Sequence, residues 1–481
     1  MEKDIKICSK KEFKEKENAE ENLNGKQSKN ELFETRPIAS ALATMAIPTV
    51  VSQLITLIYN IADTWFIGQT GNPYMVAASS LVLTVFLMLS AISNLFGAGG
   101  GSLVVRLLGS HKEEEAGKVA SFSLVMAAGT TVVFSVLCLI FMEPLLRLLG
   151  ASDNTIGFAS QYLVVVVVIG GLPTVLSNTM SAMLRNIGYS KEAGFGLGMG
   201  GVLNVVLDPI FMFLIVPNGY EVLGAAIATM LSNVAALIYF IIIYQKVSKT
   251  TILRLPRKIE KIQRESFSSL FSVGIPAAVS LLLFDLTNMV INKLSSGHGD
   301  IELAAMGIVL KVERIPLNIG IGICLGMMPL VAYNYAAKNE KRMKEFFRAA
   351  RFVGVIVAII SVAFYRICAP YIIQAFISDP QTVEYGTQFL QARCFATPFM
   401  FLSFHMVHFM QAVDKGKCSF YLALIRQLGL NIPMLFLLDH LFGMSGIIWT
   451  QMTADFINVV ITYIIYAYMM KKISQKMLIT E

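Results

Sequence analysis

Residues 46–68, AIPTVVSQLITLIYNIADTWFIG, are apolar over almost their whole length and carry a single carboxylate, Asp63. They belong to an apolar run from Pro37 to Gly68 that contains no Lys, Arg or Glu. About 20 predominantly apolar residues suffice to cross the hydrocarbon core of a bilayer, so this run predicts a membrane-spanning helix. Its carboxylate needs a partner or a role, because ionisable groups inside a membrane are costly.

The rest of the chain has the same character. Of its 481 residues, 55% are hydrophobic and 15% are charged, whereas soluble domains carry roughly 25% charged residues. Further long apolar runs are Val119–Met142, Val222–Tyr244, Val353–Ile367 and Gly446–Met470. We therefore predict an all-α polytopic membrane protein and no enzyme.

Turn and charge signals divide the chain into twelve candidate spans. They are residues 38–67, 74–105, 116–142, 155–185, 192–216, 221–246, 266–296, 301–336, 343–369, 382–413, 417–438 and 443–470. The predicted domains are a disordered tail at 1–35, a first lobe at 36–248, a linker at 249–265, a second lobe at 266–471 and a tail at 472–481.

The tail prediction for residues 1–35 rests on a mixture of Lys and Glu with almost no aliphatic content, which cannot bury enough surface to fold alone. No apolar segment typical of a signal peptide follows its basic start.

The basic residues indicate the orientation in the membrane. They cluster in alternate connections, while the intervening ones, such as QTGNPY, VPNGYE and ISDPQT, contain no Lys or Arg. Since basic loops stay on the cytoplasmic side, we expect both termini in the cytoplasm of a bacterial cell, with the chain in the plasma membrane. The net charge of +7 therefore reflects topology and does not predict a nucleic-acid partner.

The chain also repeats itself. Ala46-Ile47-Pro48 and Asn60 match Gly274-Ile275-Pro276 and Asn288 at one offset (276 − 48 = 288 − 60 = 228). Six spans thus repeat as six spans, which predicts two pseudo-symmetric six-helix bundles related by an axis along the membrane normal. Such pairs are a common transporter architecture, with sites near the interface of the halves.

Two acids are predicted to lie at similar depth in the first half. Asp63 is about five residues, or ~7–8 Å, from the external end of the first span, on a polar stripe with Thr56, Tyr59 and Asn60. In the fifth span Asn204 and Asp208 are four residues apart on one face, and the sixth span brings Thr229 to a comparable level.

Two carboxylates in a low-dielectric pocket cannot both stay ionised without a counter-charge. One holds a proton, or the pair binds a cation, and the neighbouring oxygens suit Na⁺ as well as H⁺. The alternative is that the acids only hydrogen-bond helices together. The second half argues against it, because Ile291 and Leu435 occupy the corresponding places.

Other residues allow two interpretations. Pro48 in mid-helix is either a hinge or a static bend. The charged residues of the second half are expected to pair with one another, Asp285 with Lys311 or Arg314, and Arg426 with Asp455. Substrate contact by Lys311 or Glu313 is the alternative for those two.

Three other features predict no cofactor. The glycine-rich stretches at residues 97–102 and 198–201 lack a following Walker lysine and are explained by close helix packing. His405 and His408 have no supporting acid or Cys cluster, so no metal site is predicted beyond Na⁺ at the two acids. The six cysteines lack the spacing of a metal site or disulfide framework.

Several motifs together are similar to those of the multidrug and toxic compound extrusion (MATE) family. They are Ile-Pro in the first span, Y-N-I-A-D-T-x-F-I-G at residues 59–68, N-V-V-L-D-P-I-F at 204–211, and the repeat marks Arg106 and Asn334. The resemblance covers residues 36–470 and is strongest to the prokaryotic MepA- and DinF-like branch.

This resemblance implies a V-shaped pair of bundles that exports drugs in exchange for H⁺ or Na⁺. It assigns cation coupling to Asp63, Asn204, Asp208 and Thr229, and it places Tyr59 and Asn178 in the cavity, beside Asn60. Asp285 is offset from the acid that other branches carry in the seventh helix, so that role is not transferred.

We therefore expect a monomeric antiporter for amphiphilic, often cationic, organic compounds. One alternative is a flippase for lipid-linked oligosaccharides or lipid II from the same superfamily, which would need a strongly cationic cavity. Another is an intramembrane aspartyl protease, but Asp208 lies in V-L-D-P instead of the G-x-G-D signature.

Overall fold

The computed structural model describes residues 31–256 and 260–478, which form helices and connections and contain no strand. Twelve membrane elements follow one another along the chain. They are α1 Ile38–Gly68, α2 Pro73–Gly109, α3 Glu113–Ile140, α4 Ile156–Ile169 with Gly171–Asn186, α5 Ser190–Ile215, α6 Glu221–Val247, α7 Arg264–Ser295, α8 Asp300–Ala336, α9 Glu340–Gln374, α10 Pro380–Arg393 with Thr397–Ala412, α11 Gly416–Phe442 and α12 Met444–Leu478.

The helices agree with the predicted spans. In the part of the chain that is described, ten are long and apolar enough to cross a membrane, and the two parts of α4, bent by 45° at Gly170, make an eleventh. The remaining element, α10, is interrupted by a 3₁₀ turn at Cys394–Ala396. The protein is thus a multi-pass, all-α membrane protein with twelve helices in two lobes, α1–α6 and α7–α12.

Each lobe packs around its own apolar core. One core lies in the first lobe and includes Leu89, Leu163 and Phe240. Another lies in the second lobe and includes Val309 and Tyr365. A third apolar core lies where the lobes meet and contains residues of both, among them Met45 and Met327.

Small residues bring the two lobes together along α1 and α8. A Cβ atom added at Gly326 would lie 2.6 Å from the Cα of Ala46, and one at Gly322 would lie 2.7 Å from the Cα of Val50. The backbones of α2 and α7 approach in the same way, where a Cβ at Gly99 would lie 2.8 Å from the Cα of Gly274. These contacts lie toward one end of the molecule.

We call this end the basic end, because it holds the connections with basic residues, which are residues 109–113, 185–191, 247–264, 336–340 and 412–416. We call the opposite end the far end. Polar contacts between the lobes also lie here. Ser102 and Arg106 of α2 donate to the carbonyl of Gln411, at 3.0 and 3.2 Å, and Arg106 forms an ion pair with Asp414 at 2.9 Å.

Toward the far end the facing helices diverge. The face of α8 that carries Gly322 and Gly326 continues, in steps of three and four residues, to Asn318 and Lys311, and Lys311 is exposed. The matching face of α1 leads from Ala46 to Thr64, which is also exposed. The lobes therefore enclose a cleft that is closed at the basic end and open at the far end.

Residues 31–36, which precede α1, are ordered, and this corrects the predicted end of the tail at residue 35. Residues 31–34 form a helical turn, and Leu32 and Phe33 are each only 4% exposed. The ring of Phe33 stacks on Tyr333 at 4.8 Å, and its carbonyl accepts hydrogen bonds from Asn334 and Arg342. Average composition concealed these two apolar residues, which suffice to anchor the turn.

We call residues 31–36 the strap, because the segment contacts both lobes. Tyr333 and Arg342 belong to the second lobe, while Leu32 also lies against Gly188 in the first. Residues 1–30 and 479–481, and residues 257–259 of the linker, lie outside the described ranges. The second predicted tail, 472–481, is helical to Leu478 as the end of α12.

The strap gives a test of this packing. Phe33→Ala should lower the midpoint of thermal unfolding in detergent, because truncation of a buried Phe costs roughly 3–5 kcal/mol locally. Phe352→Ala is the matched control, since that ring is 68% exposed and should leave the midpoint unchanged. Equal midpoints for the two variants would contradict the assigned role of the strap.

Candidate functional site

The site begins with a glycine stripe that draws α5 against α1. A Cβ at Gly194 would lie 2.6 Å from the carbonyl oxygen of Pro48, and one at Gly201 would lie 2.9 Å from Cδ1 of Tyr59. With Gly198 between them, these residues form one face of α5 in steps of three and four. The predicted role of the glycines at 198–201 in close packing is confirmed.

The same two faces carry the acids. One turn beyond Gly201 the stripe on α5 reaches Asn204 and then Asp208, and one turn beyond Tyr59 the stripe on α1 reaches Asp63. Asp208 is fully buried, and Asp63 lies near enough to interact with it electrostatically. The structure therefore brings together the two carboxylates that the sequence analysis selected, inside the first lobe.

A network of hydroxyl and amide groups joins the acids. Asn204 donates from one side-chain nitrogen to Asp208 at 3.1 Å and to the hydroxyl of Thr229 at 3.2 Å. On the other side, Tyr162 in α4 lies near Asp63 and Thr229. Tyr162, Thr229 and Asn204 thus form a polar cluster around the two acids.

Tyr162 was not predicted, although the repeat contains a signal for it. The stretch GASDNTIGFASQYL aligns with ISDPQTVEYGTQFL in the second half, and there Tyr162 corresponds to Phe389. The hydroxyl is therefore present only in the half that has the acids. A search for polar groups lost from one half would have found Tyr162 together with Asp63 and Asp208.

The charge of this pocket is not balanced by a basic side chain. Among the described residues, no Lys or Arg forms an ion pair with either acid. Asp63 Oδ1 and Asp208 Oδ2 are buried and have no hydrogen-bond partner in the protein. Buried charges need a partner or a proton, so these atoms are suited to receive H⁺ or a cation with a preference for oxygen, such as Na⁺.

The other residues predicted for the first lobe lie around this network. Tyr59 is half-buried one turn from Asp63, and Asn60 is exposed on the cleft side of α1, where it donates to the carbonyl of Thr56 at 2.8 Å. Asn178 lies on α4 sixteen residues beyond Tyr162, toward the basic end. The structure does not bring Asn178 to the acids.

In the second lobe the acids are paired with arginines. Arg426 binds Asp455 through two hydrogen bonds, the longer at 3.1 Å, so that the expected pair is present. Arg314 pairs with Asp285 at 3.3 Å, which is one of the two expected partners. The first lobe differs, because its two acids have no arginine or lysine partner among the described residues.

The two candidate substrate contacts of α8 lie on different faces. Glu313 is buried and forms two hydrogen bonds with Arg393, at 2.8 and 3.0 Å. This pair was not predicted, although Arg393 is a lone cation in an otherwise uncharged stretch of α10. Glu313 is therefore paired with Arg393 inside the second lobe, where it lines a small cavity, whereas Lys311 is exposed on the cleft side.

Comparison with known sequences identifies the same two-fold pattern. A sequence model of the MatE family matches residues 48–210 and again residues 276–437, and the two matches begin at the repeated prolines. The multidrug export protein MepA of Staphylococcus aureus is 31% identical over 426 residues, which cover 88% of this chain and 92% of that protein. The protein of the same name from Staphylococcus haemolyticus is 30% identical, over 88% of this chain and 92% of its own length.

Solved structures share the fold. A MATE transporter of the MOP superfamily in an outward-facing conformation gives a TM-score of 0.87 at 21% identity, over 92% of this chain and 98% of its own. A MOP superfamily transporter from Pyrococcus furiosus, described as having a binding pocket of reverse polarity, gives 0.80 at 22% identity, over 90% and 97%. With both halves matched by the family model, the chain belongs to the MATE family of multidrug efflux transporters.

Proposed function

We propose that the protein is an antiporter that exports amphiphilic, often cationic, organic compounds in exchange for H⁺ or Na⁺. The observation that supports this most directly is the acid pair of the first lobe. Asp208 is fully buried, Asp63 is partly buried, and neither has a counter-cation among the described residues. An ion or proton that enters the pocket neutralises it, and its departure restores the charge. The site is thus able to alternate between two charge states.

Helix α1 would connect this change to the cleft. One of its faces carries Tyr59 and Asp63 against α5, and another carries Ala46 and Val50 against α8. A shift of α1 that follows ion binding therefore acts on the pocket and on the contact between the lobes. Pro48 lies at the contact with Gly194, and the missing backbone hydrogen bond there supports its proposed role as a hinge.

The open cleft corresponds to the state that releases substrate. By the distribution of basic residues the basic end faces the cytoplasm, so the far end faces outward, and both termini are cytoplasmic. We place the protein in the bacterial plasma membrane as a monomer. In a two-state transporter, the ion shifts the equilibrium by the difference between its affinities for the two states.

The central experiment is dye export from proteoliposomes with one gradient imposed at a time. Wild-type protein should export ethidium under one of the two gradients, a pH gradient or a Na⁺ gradient. The gradient that drives export identifies the coupling ion. Absence of ethidium export under both gradients, from protein that is correctly inserted, would contradict coupled antiport.

Asp208→Asn should abolish the coupled export. The amide keeps the shape of the side chain and its contact with Asn204 but cannot take up the charge states of a carboxylate, so we expect at least a tenfold loss of gradient-driven ethidium export. Asp153→Asn is the control, because Asp153 is an exposed acid in a connection. Both variants should insert and elute as wild type. Full export by Asp208→Asn would refute the assignment.

Tyr162→Phe tests whether Tyr162 belongs to the coupling site. Removal of its hydroxyl takes a polar group from beside Asp63 and should raise the ion concentration for half-maximal export about three- to tenfold, in line with ~0.5–1.5 kcal/mol for one polar interaction. The control is Tyr421→Phe, since Tyr421 is 62% exposed. An ion dependence identical to that of wild type would remove Tyr162 from the coupling site.

A further inference from the structure

The second-lobe wall of the cleft carries a positive charge that the proposed ion cycle does not use. Lys311 lies on the same face of α8 as Gly322, three turns or eleven residues nearer the far end. Gly322 is the residue that contacts the backbone of α1. Eleven residues separate Lys311 from the start of α8 at Asp300, which places its Cα about 16 Å from the far end of the helix. A cation at this depth is costly unless it faces a water-filled cavity or a partner.

The acids nearby do not neutralise it. Asp285 of α7 lies on the face that carries Gly274, and it pairs with Arg314 at 3.3 Å. Glu313 lies on the opposite face of α8 and is bound to Arg393. In residues 31–256 and 260–478, Lys311 belongs to no ion pair. On the second-lobe wall, one acidic side chain, Asp285, therefore accompanies two cationic ones, Lys311 and Arg314.

The facing wall supplies no acid to the cleft either. On the far half of α1 the exposed polar side chains are Asn60 and Thr64, which donate hydrogen bonds to backbone carbonyls of their own helix. Asp208 is fully buried, and Asp63 is partly buried on the side of α1 that carries Tyr59 against α5. The cleft therefore has one basic wall and one neutral polar wall.

Arg314 strengthens the basic wall. It is three residues from Lys311 on α8, so the two side chains are neighbours on the helix surface, and 45% of its side chain is exposed despite the pair with Asp285. The guanidinium has five N–H donors, of which this pair uses one. An ammonium and a guanidinium side by side are the groups that bind a carboxylate best.

Apolar residues flank these cations. Ile315 follows Arg314 on α8 and is 41% exposed, and Met88 of α2, on the face that carries Gly99, is 43% exposed. Flexible methionine and aliphatic surface accepts varied apolar bodies. The cleft thus offers a place for an apolar ring system and, beside it on the second-lobe wall, a place for an anionic group.

We propose that Lys311, assisted by Arg314, binds the carboxylate of zwitterionic amphiphiles, so that the cleft accepts substrates that carry an acidic group as well as simple cations. This inference rests on the proposed export function and names part of its substrate range. Lys311 is then a specificity-determining residue, whereas Asp63 and Asp208 serve the coupling ion.

Two dyes that differ only in this group provide the test. Rhodamine 123 is the methyl ester of rhodamine 110, which has a free carboxylate. Wild-type proteoliposomes under the effective gradient should export both dyes. In Lys311→Gln, export of rhodamine 110 relative to rhodamine 123 should fall about tenfold, because the ester does not need the ammonium. Lys311→Arg should restore most of the ratio.

The control variant is Lys293→Gln, an exposed lysine in the last turn of α7, which should leave the ratio as in wild type. Export of rhodamine 123 without rhodamine 110 by the wild type would overturn this inference and leave the proposed antiport intact. An equal change for both dyes in Lys311→Gln would also overturn it. Failure of the wild type to export either rhodamine while it exports ethidium would overturn this inference alone, and failure to export all three dyes under either gradient would overturn both proposals.

Discussion

Helix α1 is packed within backbone distance of two other helices, and the arrangement of the molecule depends on those two contacts. Gly194 and Gly201 of α5 bring it into the first lobe, while Gly322 and Gly326 of α8 join it to the second. A side chain larger than hydrogen at Gly194, Gly322 or Gly326 would push the backbones apart, and one at Gly201 would meet the side chains of Ile55 and Tyr59. In a membrane, where no hydrophobic force drives helices together, such small-residue contacts determine which helices meet.

The two lobes share a fold but differ in whether the acidic side chains inside them have a basic partner. In the second lobe each of Asp285, Glu313 and Asp455 has an arginine partner. In the first, Asp63 and Asp208 have only hydroxyl and amide neighbours. A buried ion pair holds its geometry because removal of either partner is strongly destabilising. In the proposed cycle an unpaired acid instead responds to the ions that reach it, so that the second lobe is the fixed element and the first lobe the responsive one.

Much of this was predictable because the membrane imposes strict rules on sequence. Apolar length gave the twelve helices, the offset of 228 residues gave the two lobes, and helical spacing put Asp63 and Asp208 at one depth. The missing parts depend on contacts between distant segments. Tyr162 looks like an ordinary aromatic residue until α4 places it between Asp63 and Thr229. Leu32 and Phe33 are a small apolar minority in a charged segment, and only Tyr333 and Arg342 explain their order.

The confinement of the coupling acids to one pocket has an energetic consequence for the proposed cycle. With one such pocket per chain, each turnover returns few ions, and a membrane potential supplies about 2.3 kcal/mol per elementary charge for each 100 mV. If the exported compound carries no net charge, one elementary charge moved through 100 mV could then sustain a concentration ratio of roughly fiftyfold, whereas for a monovalent cation the two charge movements cancel. The loss of both acids from the second half, where Ile291 and Leu435 stand, would thus set a ceiling on accumulation that no improvement of the cleft could raise.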